Sequence, residues 1–206
     1  MRSSRLFFAL LLAIFLIHAA AATAGTAIDM DDPRRVVGRE DDVRIDAQLV
    51  QETVSPGAPV GITYQIQNFT AAPVAIAHKI AAASYDAETR TITLAVGAEV
   101  PVDGNMPQVV VIPPGEKKVF RTGATPSYSA ASVRTGRSVP RYVQVKVSIL
   151  RDVKPFAGAR FGEKLSDAQF DQWFESNDTI LLNTVPVSYS PSGATLYDAS
   201  SPSSRF

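Results

Sequence analysis

The feature that most constrains the fold is the stretch 59–73, PVGITYQIQNFTAAP. Its apolar residues alternate with polar or small ones, so in an extended chain they share one face of a strand. The run is rich in β-branched and aromatic residues, which suit a half-buried pleated surface. Turn-forming residues stand on both sides, at 55–57 (Ser-Pro-Gly) and at 68–73. The stretch therefore predicts a central β-strand.

Similar strand signals recur along the chain. Alternation at 43–50, 91–96 and 142–150 predicts three further one-sided strands. A hairpin connection is expected at 85–90, and Pro-Pro-Gly-Glu at 113–116 fits a type II turn. Shorter strands are predicted at 74–80, 108–112, 117–122 and 180–189, where Pro186 indicates an edge or a bulge. This number of short strands predicts an all-β, two-sheet antiparallel sandwich.

One segment has a helical period instead. Ser166 and Gln169 have the spacing of a capping box, and Leu165 and Phe170 that of a hydrophobic staple. Phe170, Trp173 and Phe174 then share one helical face. We predict a short helix over 167–176, inserted before the last strand.

The two ends of the chain differ from the middle. Arg2 and Arg5, the apolar run 6–17 and Ala-Thr-Ala at 22–24 have the order of a secretory signal peptide over 1–24, and an uncleaved anchor helix is the alternative. Residues 25–42 are charged and aperiodic and predict a flexible arm, whose acidic run at 29–32 favours a solvated loop over a calcium site. We expect one domain over 43–189 and a disordered Ser/Pro-rich tail over 190–206.

Charge and composition narrow the classes of partner. Without Arg2 and Arg5 the chain keeps 18 basic and 20 acidic residues, a net charge of −2, which favours neither nucleic acid nor anionic lipid. There is no cysteine, which excludes disulfides, thiolate nucleophiles and cysteine metal sites. The composition suits a periplasmic or secreted bacterial protein that is held together by its core and has no membrane span after cleavage.

The sequence offers little catalytic machinery. His78 is the single histidine after residue 24, and no Gly-x-Ser-x-Gly elbow, second metal-binding histidine or glycine-rich phosphate loop accompanies it. We therefore expect a structural histidine, no cofactor, no metal and no enzymatic activity. An uncharacterised hydrolase with carboxylates assembled from distant loops is the alternative. Asn68 and Asn177 match the glycosylation pattern and are interpreted as turn residues.

Several of these motifs together resemble a known class of domain. They are Ser-Pro-Gly-Ala-Pro-Val at 55–60, Tyr-Gln-Ile-Gln-Asn at 64–68, Pro-Val at 73–74 and Pro-Gly-Glu at 114–116. The arrangement resembles the immunoglobulin-like domains of exported bacterial proteins, and the BsuPI-type proteinase inhibitor domain among them. Residues 109–121 are also similar to the first domain of periplasmic pilus chaperones. The resemblance implies an immunoglobulin-like β-sandwich that acts by protein contact.

Two surfaces are candidates for that contact. The first is the segment 156–174, which is rich in aromatic residues and which we call the aromatic insertion; the alternative is that these residues are buried under one end of the sandwich. The second is a basic loop with Arg134, Arg137 and Arg141, where the alternative is a solvated loop. Besides a general binding domain, we consider a protease inhibitor that presents loop 97–107 or 125–137, and a strand-pairing assembly factor that uses the Pro186 edge. The residues of the aromatic insertion are Phe156, Phe161, Phe170, Trp173 and Phe174.

Overall fold

The computed structural model of the chain describes residues 28–79, 81–127 and 139–191. These residues form a mostly β structure with one α-helix, α1 (Asp167–Ser176), and two 3₁₀ turns, Val102–Gly104 and Lys154–Phe156. The strands are β1 (Arg35–Glu40), β2 (Val43–Leu49), β3 (Thr53–Val54), β4 (Val60–Asn68), β5 (Val74–Ile76), β6 (Ala81–Asp86), β7 (Thr91–Val96), β8 (Val110–Ile112), β9 (Lys117–Ala124), β10 (Tyr142–Leu150), β11 (Asn177–Leu181), β12 (Val185–Pro186) and β13 (Ser188–Tyr189). Within the described ranges no helix is long and apolar enough to cross a membrane.

Two main sheets are present. A four-stranded antiparallel sheet has the order β1-β2-β4-β9, so the strand predicted over 59–73 lies in its interior as β4. A seven-stranded sheet has the order β6-β7-β10-β5-β8, with β11 and β12 also paired to β10. Most pairs are antiparallel, as expected, but β7 and β10 run parallel and so do the short strands β3 and β13.

Both main sheets bury their apolar side chains in one hydrophobic cluster. Ile45 and Tyr64 enter it from the four-stranded sheet, and Leu94 and Val145 from the seven-stranded sheet. All four are fully buried. The alternation in the sequence therefore correctly identified the inward faces of β2, β4, β7 and β10.

A smaller second cluster lies on the other side of the seven-stranded sheet. It contains the paired residues Ala75 and Leu150, whose strand neighbours Val74 and Ile149 belong to the first cluster. Trp173 of α1 is its largest member, packed edge-on against Phe156 with ring centroids 5.3 Å apart. The indole nitrogen donates to the Ala98 carbonyl at 3.1 Å. The helix begins at the predicted capping box, because Ser166 accepts from the Gln169 backbone and Gln169 accepts from the Ser166 backbone.

The polypeptide turns sharply where β7 ends. Gly97 has φ = +88°, and a Cβ at this position would lie 2.3 Å from the Ser148 carbonyl oxygen. Only glycine allows the chain to leave β7 so close to the backbone of β10. The predicted type II turn at 113–116 is likewise consistent with φ = +75° at Gly115.

Some predicted boundaries are wrong. The flexible arm predicted over 25–42 includes strand β1, which pairs with β2 along its whole length. Of the described residues in this range, only 28–34 and the turn residues Asp41 and Asp42 lie outside a strand. The strand predicted over 74–80 ends at Ile76, and the one over 180–189 is broken into β11, β12 and β13. The predicted signal peptide over 1–24 and the tail after residue 191 lie outside the described residues.

Candidate functional site: the basic face of the four-stranded sheet

The outward side of the four-stranded sheet carries three rows of side chains, and we call it the basic face. Each row runs across β1, β2, β4 and β9 through directly paired residues. Five of these twelve positions are basic and one is acidic, on a chain whose basic and acidic residues balance overall. The rows are Arg35-Gln48-Thr63-Arg121, Val37-Asp46-Gln65-Val119 and Arg39-Arg44-Gln67-Lys117.

Asp46 lies at the centre of this face and is nonetheless buried. The guanidinium of Arg44 donates to both of its carboxylate oxygens, at 3.0 and 3.1 Å. Arg35 donates to the carboxylate from its Nε at 3.1 Å and also from Nη2, and Gln65 donates at 3.0 Å. Burial alone would raise the pKa of Asp46, but these hydrogen bonds outweigh it and hold the pKa below its usual value.

The centre of the basic face has two positive charges, on Arg35 and Arg44, and one negative charge, on Asp46. Because Arg35 and Arg44 share the single carboxylate of Asp46, the group is fixed in place and remains net cationic. Arg39, in the outer row, pairs with Asp42 at 2.8 Å and lies over the ring of Phe69, 5.7 Å from its centroid.

The two cations that β9 contributes to the basic face, Lys117 and Arg121, are not paired with an acidic group as Arg35, Arg39 and Arg44 are. Within the part of the chain that the structure describes, the side chains of Lys117 and Arg121 have no hydrogen bond and no ion pair. They are exposed, and Val119 between them is 37% exposed. Strand β9 therefore presents two uncompensated positive charges on either side of an apolar side chain.

A cleft of about 310 Å³ opens at the Arg121 corner of the face. It is also lined by the acidic residue Asp29 and by Arg34, Gln48, Leu49, Val50 and Thr63. Arg34 is compensated by Asp32, whose pKa is strongly lowered by its hydrogen bonds from the Arg34 side chain and backbone. Arg121 is thus the cation in this corner that is available to an anionic group.

The structure divides the aromatic insertion between core and surface. Trp173 and Phe156 are buried in the second cluster, as the burial alternative predicted. Phe161 is 75% exposed and Phe174 is 50% exposed. Phe170 packs edge-on against Phe174, with ring centroids 5.2 Å apart. The prediction that Trp173 faces a partner is therefore wrong, because its side chain is buried. Phe161 and Phe174 are accessible to a partner.

Of the three arginines in the predicted basic loop, the structure describes only Arg141. Arg134 and Arg137 lie outside the described residues. Arg141 is exposed at the start of β10, and its backbone nitrogen donates to the Arg90 carbonyl at 2.9 Å. Its neighbour Tyr142 is 41% exposed.

His78 lies at the edge of the core. Its ring is 5.2 Å from that of Phe120, and its Nδ1 is buried without a hydrogen-bond partner. Burial, and secondarily the charge of Lys79, lowers its pKa, so the neutral imidazole is favoured. Among the residues that the structure describes, no group of three or more histidine and carboxylate side chains is placed to hold a metal ion.

Two further candidate segments are held by neighbouring elements. In loop 97–107, Met106 is buried and its backbone nitrogen donates to the Glu163 carbonyl at 2.8 Å, whereas Glu99, Val100, Val102 and Asp103 are exposed. The edge that leads to Pro186 lies beside β1, where the Asn183 side chain accepts from the Val37 backbone at 2.7 Å. Neither segment is extended freely into solvent.

The basic face was not identified from the sequence. The sequence predicts separate strands for 43–50, 59–73 and 117–122, and a flexible arm for the segment that contains Arg35 and Arg39. A usable sequence signal is the pair of basic residues four positions apart, with a valine midway, in both 35–39 and 117–121, because residues at that spacing share one face of a strand. The comparisons add no relative, since no family model, curated protein or solved structure matches this chain.

Proposed function

We propose that this chain is an exported, non-enzymatic, immunoglobulin-like domain that acts by protein–protein contact, and that the basic face is its contact surface. The proposed export rests on the signal-peptide pattern of residues 1–24, and it places the domain in the periplasm or outside the cell.

The immunoglobulin-like assignment is supported by strand order. Strands β2, β4 and β9 lie side by side in one sheet, and β5, β10 and β11 belong to the other. Both sheets contribute to one core, as in a Greek-key sandwich. The parallel pair β7–β10 and helix α1 are additions to this plan.

The observation that carries the proposed contact is the pair of uncompensated cations on β9. The same face also contains the buried Asp46, which accepts hydrogen bonds from two arginines and fixes both in place. A sheet face that only contacts solvent does not require such an arrangement. Fixed charges of one sign around exposed apolar side chains give an interface both orientation and partner selection. The outward side of the seven-stranded sheet differs, because its central Lys146 is paired with Glu99 at 2.8 Å and Thr91 and Thr93 are neutral.

Site-specific photo-crosslinking in the cells that produce the protein tests this proposal. We would introduce p-benzoylphenylalanine at Val119 on the basic face or at Thr93 on the opposite sheet, since both positions point outward from the middle of a strand. The expected result is a discrete protein adduct from position 119 that is absent from position 93. Replacing Lys117→Gln and Arg121→Gln should weaken that adduct at least tenfold.

Two results would contradict the proposal. Equal labelling from positions 119 and 93, or none from position 119, would remove the basic face as the contact surface. Turnover of a substrate that His78→Ala abolishes, with thermal unfolding unchanged, would remove the non-enzymatic assignment.

A further inference from the structure

We propose that the basic face binds the exposed acidic side of helix α1 in a second copy of this chain. This inference rests on the proposed function, because it names the partner of the same surface.

The exposed side of α1 carries three acidic residues. Asp167, Asp171 and Glu175 follow one another at four-residue spacing, and all three are exposed. Residues at this spacing are neighbours on one side of a helix. The helix contains no basic residue, and within the described ranges none of these carboxylates has an ion pair.

The stability of the helix does not explain these acids. Like charges four residues apart on a helix repel one another and destabilise it. Glu175 lies in the last turn, where the helix dipole disfavours a negative charge. Only Asp167, in the first turn, is placed favourably with respect to the dipole. An external cationic partner would compensate the other two.

The two surfaces match in length and in chemistry. Lys117 and Arg121 are four residues apart on a strand, roughly 13 Å. Asp167 and Glu175 are eight residues apart on a helix, roughly 12 Å. Each surface also has an apolar side chain beside its charges, Val119 on the sheet and the half-exposed Phe174 on the helix. Their contact would bury apolar area together with the ion pairs.

The contact must form between molecules. Within one molecule α1 packs through Trp173 against Phe156 and the Ala98 carbonyl, and among the described residues no hydrogen bond or ion pair joins the helix to the basic face. Each copy therefore offers its face to one neighbour and its helix to another, which is a head-to-tail association.

Sedimentation velocity of the purified chain tests the association. We expect a sedimentation coefficient that rises with protein concentration at about 0.01 M salt and falls to the monomer value at about 1 M, where the screening length drops from about 30 Å to about 3 Å. The variant Asp171→Lys with Glu175→Lys spoils the helix, and Lys117→Gln with Arg121→Gln spoils the face. Each variant alone should be monomeric.

An equimolar mixture of the two variants gives the sharper result. The intact face of one and the intact helix of the other should form a 1:1 dimer that cannot extend, because both remaining surfaces are spoiled. The controls Glu88→Lys and Arg160→Glu each reverse one charge at an exposed position outside both surfaces, and they should associate like the unmodified chain.

Three outcomes would overturn the inference: a monomeric unmodified chain at low salt, association by either spoiled variant alone, or a monomeric mixture. Photo-crosslinking separates this failure from that of the proposed function. A position-119 adduct with a different protein, without self-association, would leave the proposed function standing and remove the second copy as the partner.

Discussion

The side-chain amide of Asn68 donates to the carbonyl oxygen of Ile112, 44 residues further along the chain, at 3.0 Å. The same amide nitrogen donates to the Ala72 carbonyl at 2.8 Å, and the amide oxygen accepts from the Thr70 backbone at 2.9 Å. Asn68 is fully buried, and its bond to the buried Ile112 is shielded from water. This one side chain joins the end of β4 to the chain before β5 and to the end of β8.

Removal of this amide should destabilise the fold. Asn68→Ala leaves the buried Ile112 carbonyl without this donor and removes the bonds to Thr70 and Ala72, and we expect a loss of about 1–3 kcal/mol in the free energy of unfolding. Asn68→Asp should also be destabilising, because a carboxylate has no N–H to donate and would be ionised in a buried site. Urea unfolding followed by circular dichroism measures both effects. The neighbouring Gln67→Ala, on the outer face, should stay within about 0.5 kcal/mol.

The turn at Gly97 should tolerate no side chain. Gly97→Ala places a Cβ against the Ser148 carbonyl and forces a non-glycine residue into a positive φ, which alone costs roughly 1–2 kcal/mol. We expect a total loss above about 2 kcal/mol in the free energy of unfolding, or failure to accumulate as folded protein. Gly158→Ala is the matched control, since a Cβ there meets no atom within 4 Å. Equal effects of the two substitutions would show that the close approach to β10 is unimportant.

The Asp46 network should make stability depend on pH in the acid range. Its pKa is lowered in the folded protein, so its contribution to stability is present above the pKa of the unfolded chain, about 3.9, and is lost as pH falls through the folded value. Asp46→Asn should therefore be less stable than the unmodified chain near neutral pH, by about 1–3 kcal/mol.

Unfolding free energies at a series of pH values check this prediction. The difference between the unmodified chain and Asp46→Asn should begin to narrow as pH falls below about 4, where Asp46 of the unfolded chain binds a proton. It should reach its minimum only below the lowered pKa of the folded protein, where both chains carry a neutral group at position 46. A difference that is constant down to the acid limit would mean that the aspartate charge contributes nothing to the fold.

The fluorescence of Trp173 should show whether the second cluster is folded. Trp173 is the only tryptophan in the chain and is buried, so its fluorescence should be blue-shifted in the folded protein and shift to the red on unfolding. Trp173→Ala should cost about 3–5 kcal/mol, whereas Trp173→Phe keeps most of the apolar contact and loses the bond to Ala98. Phe174→Ala, one residue later and half exposed, should change stability by less than about 1 kcal/mol. Comparable losses at 173 and 174 would contradict the division of the aromatic insertion.

Patterns that are local in the sequence were the ones that predicted structure correctly. The alternation in 43–49 and 142–150 reports which side of a strand is buried, and the Ser166–Gln169 box marks the start of α1. Strand β1 was missed because Val36 is its one large inward-facing residue, and charged residues surround it. The composition of 35–40 is typical of a loop, but this segment is a strand because it pairs with β2. The local sequence does not encode that pairing.

The basic face depended on information that no single segment contains. Arg39 and Lys117 lie in one row of the sheet although they are far apart in the chain, and only the pairing of β1, β2, β4 and β9 brings them together. The burial of Asp46 is equally non-local, since it results from side chains on three strands. In the sequence alone Asp46 is one more polar residue in an alternating strand.

The parallel pairing of β7 with β10 also affects the order in which the protein can assemble. Strand β10 is bordered by β7 and β5, which precede it, and by β11 and β12, which follow it. During synthesis or translocation from the N-terminus, the four-stranded sheet has all its strands once residue 124 has emerged, but β10 has no neighbour on its second side until β11 arrives. Contacts of such long sequence separation form slowly. The emerging chain therefore passes through a stage in which one sheet is complete and the edge of β10 is open to chaperones or to mispairing.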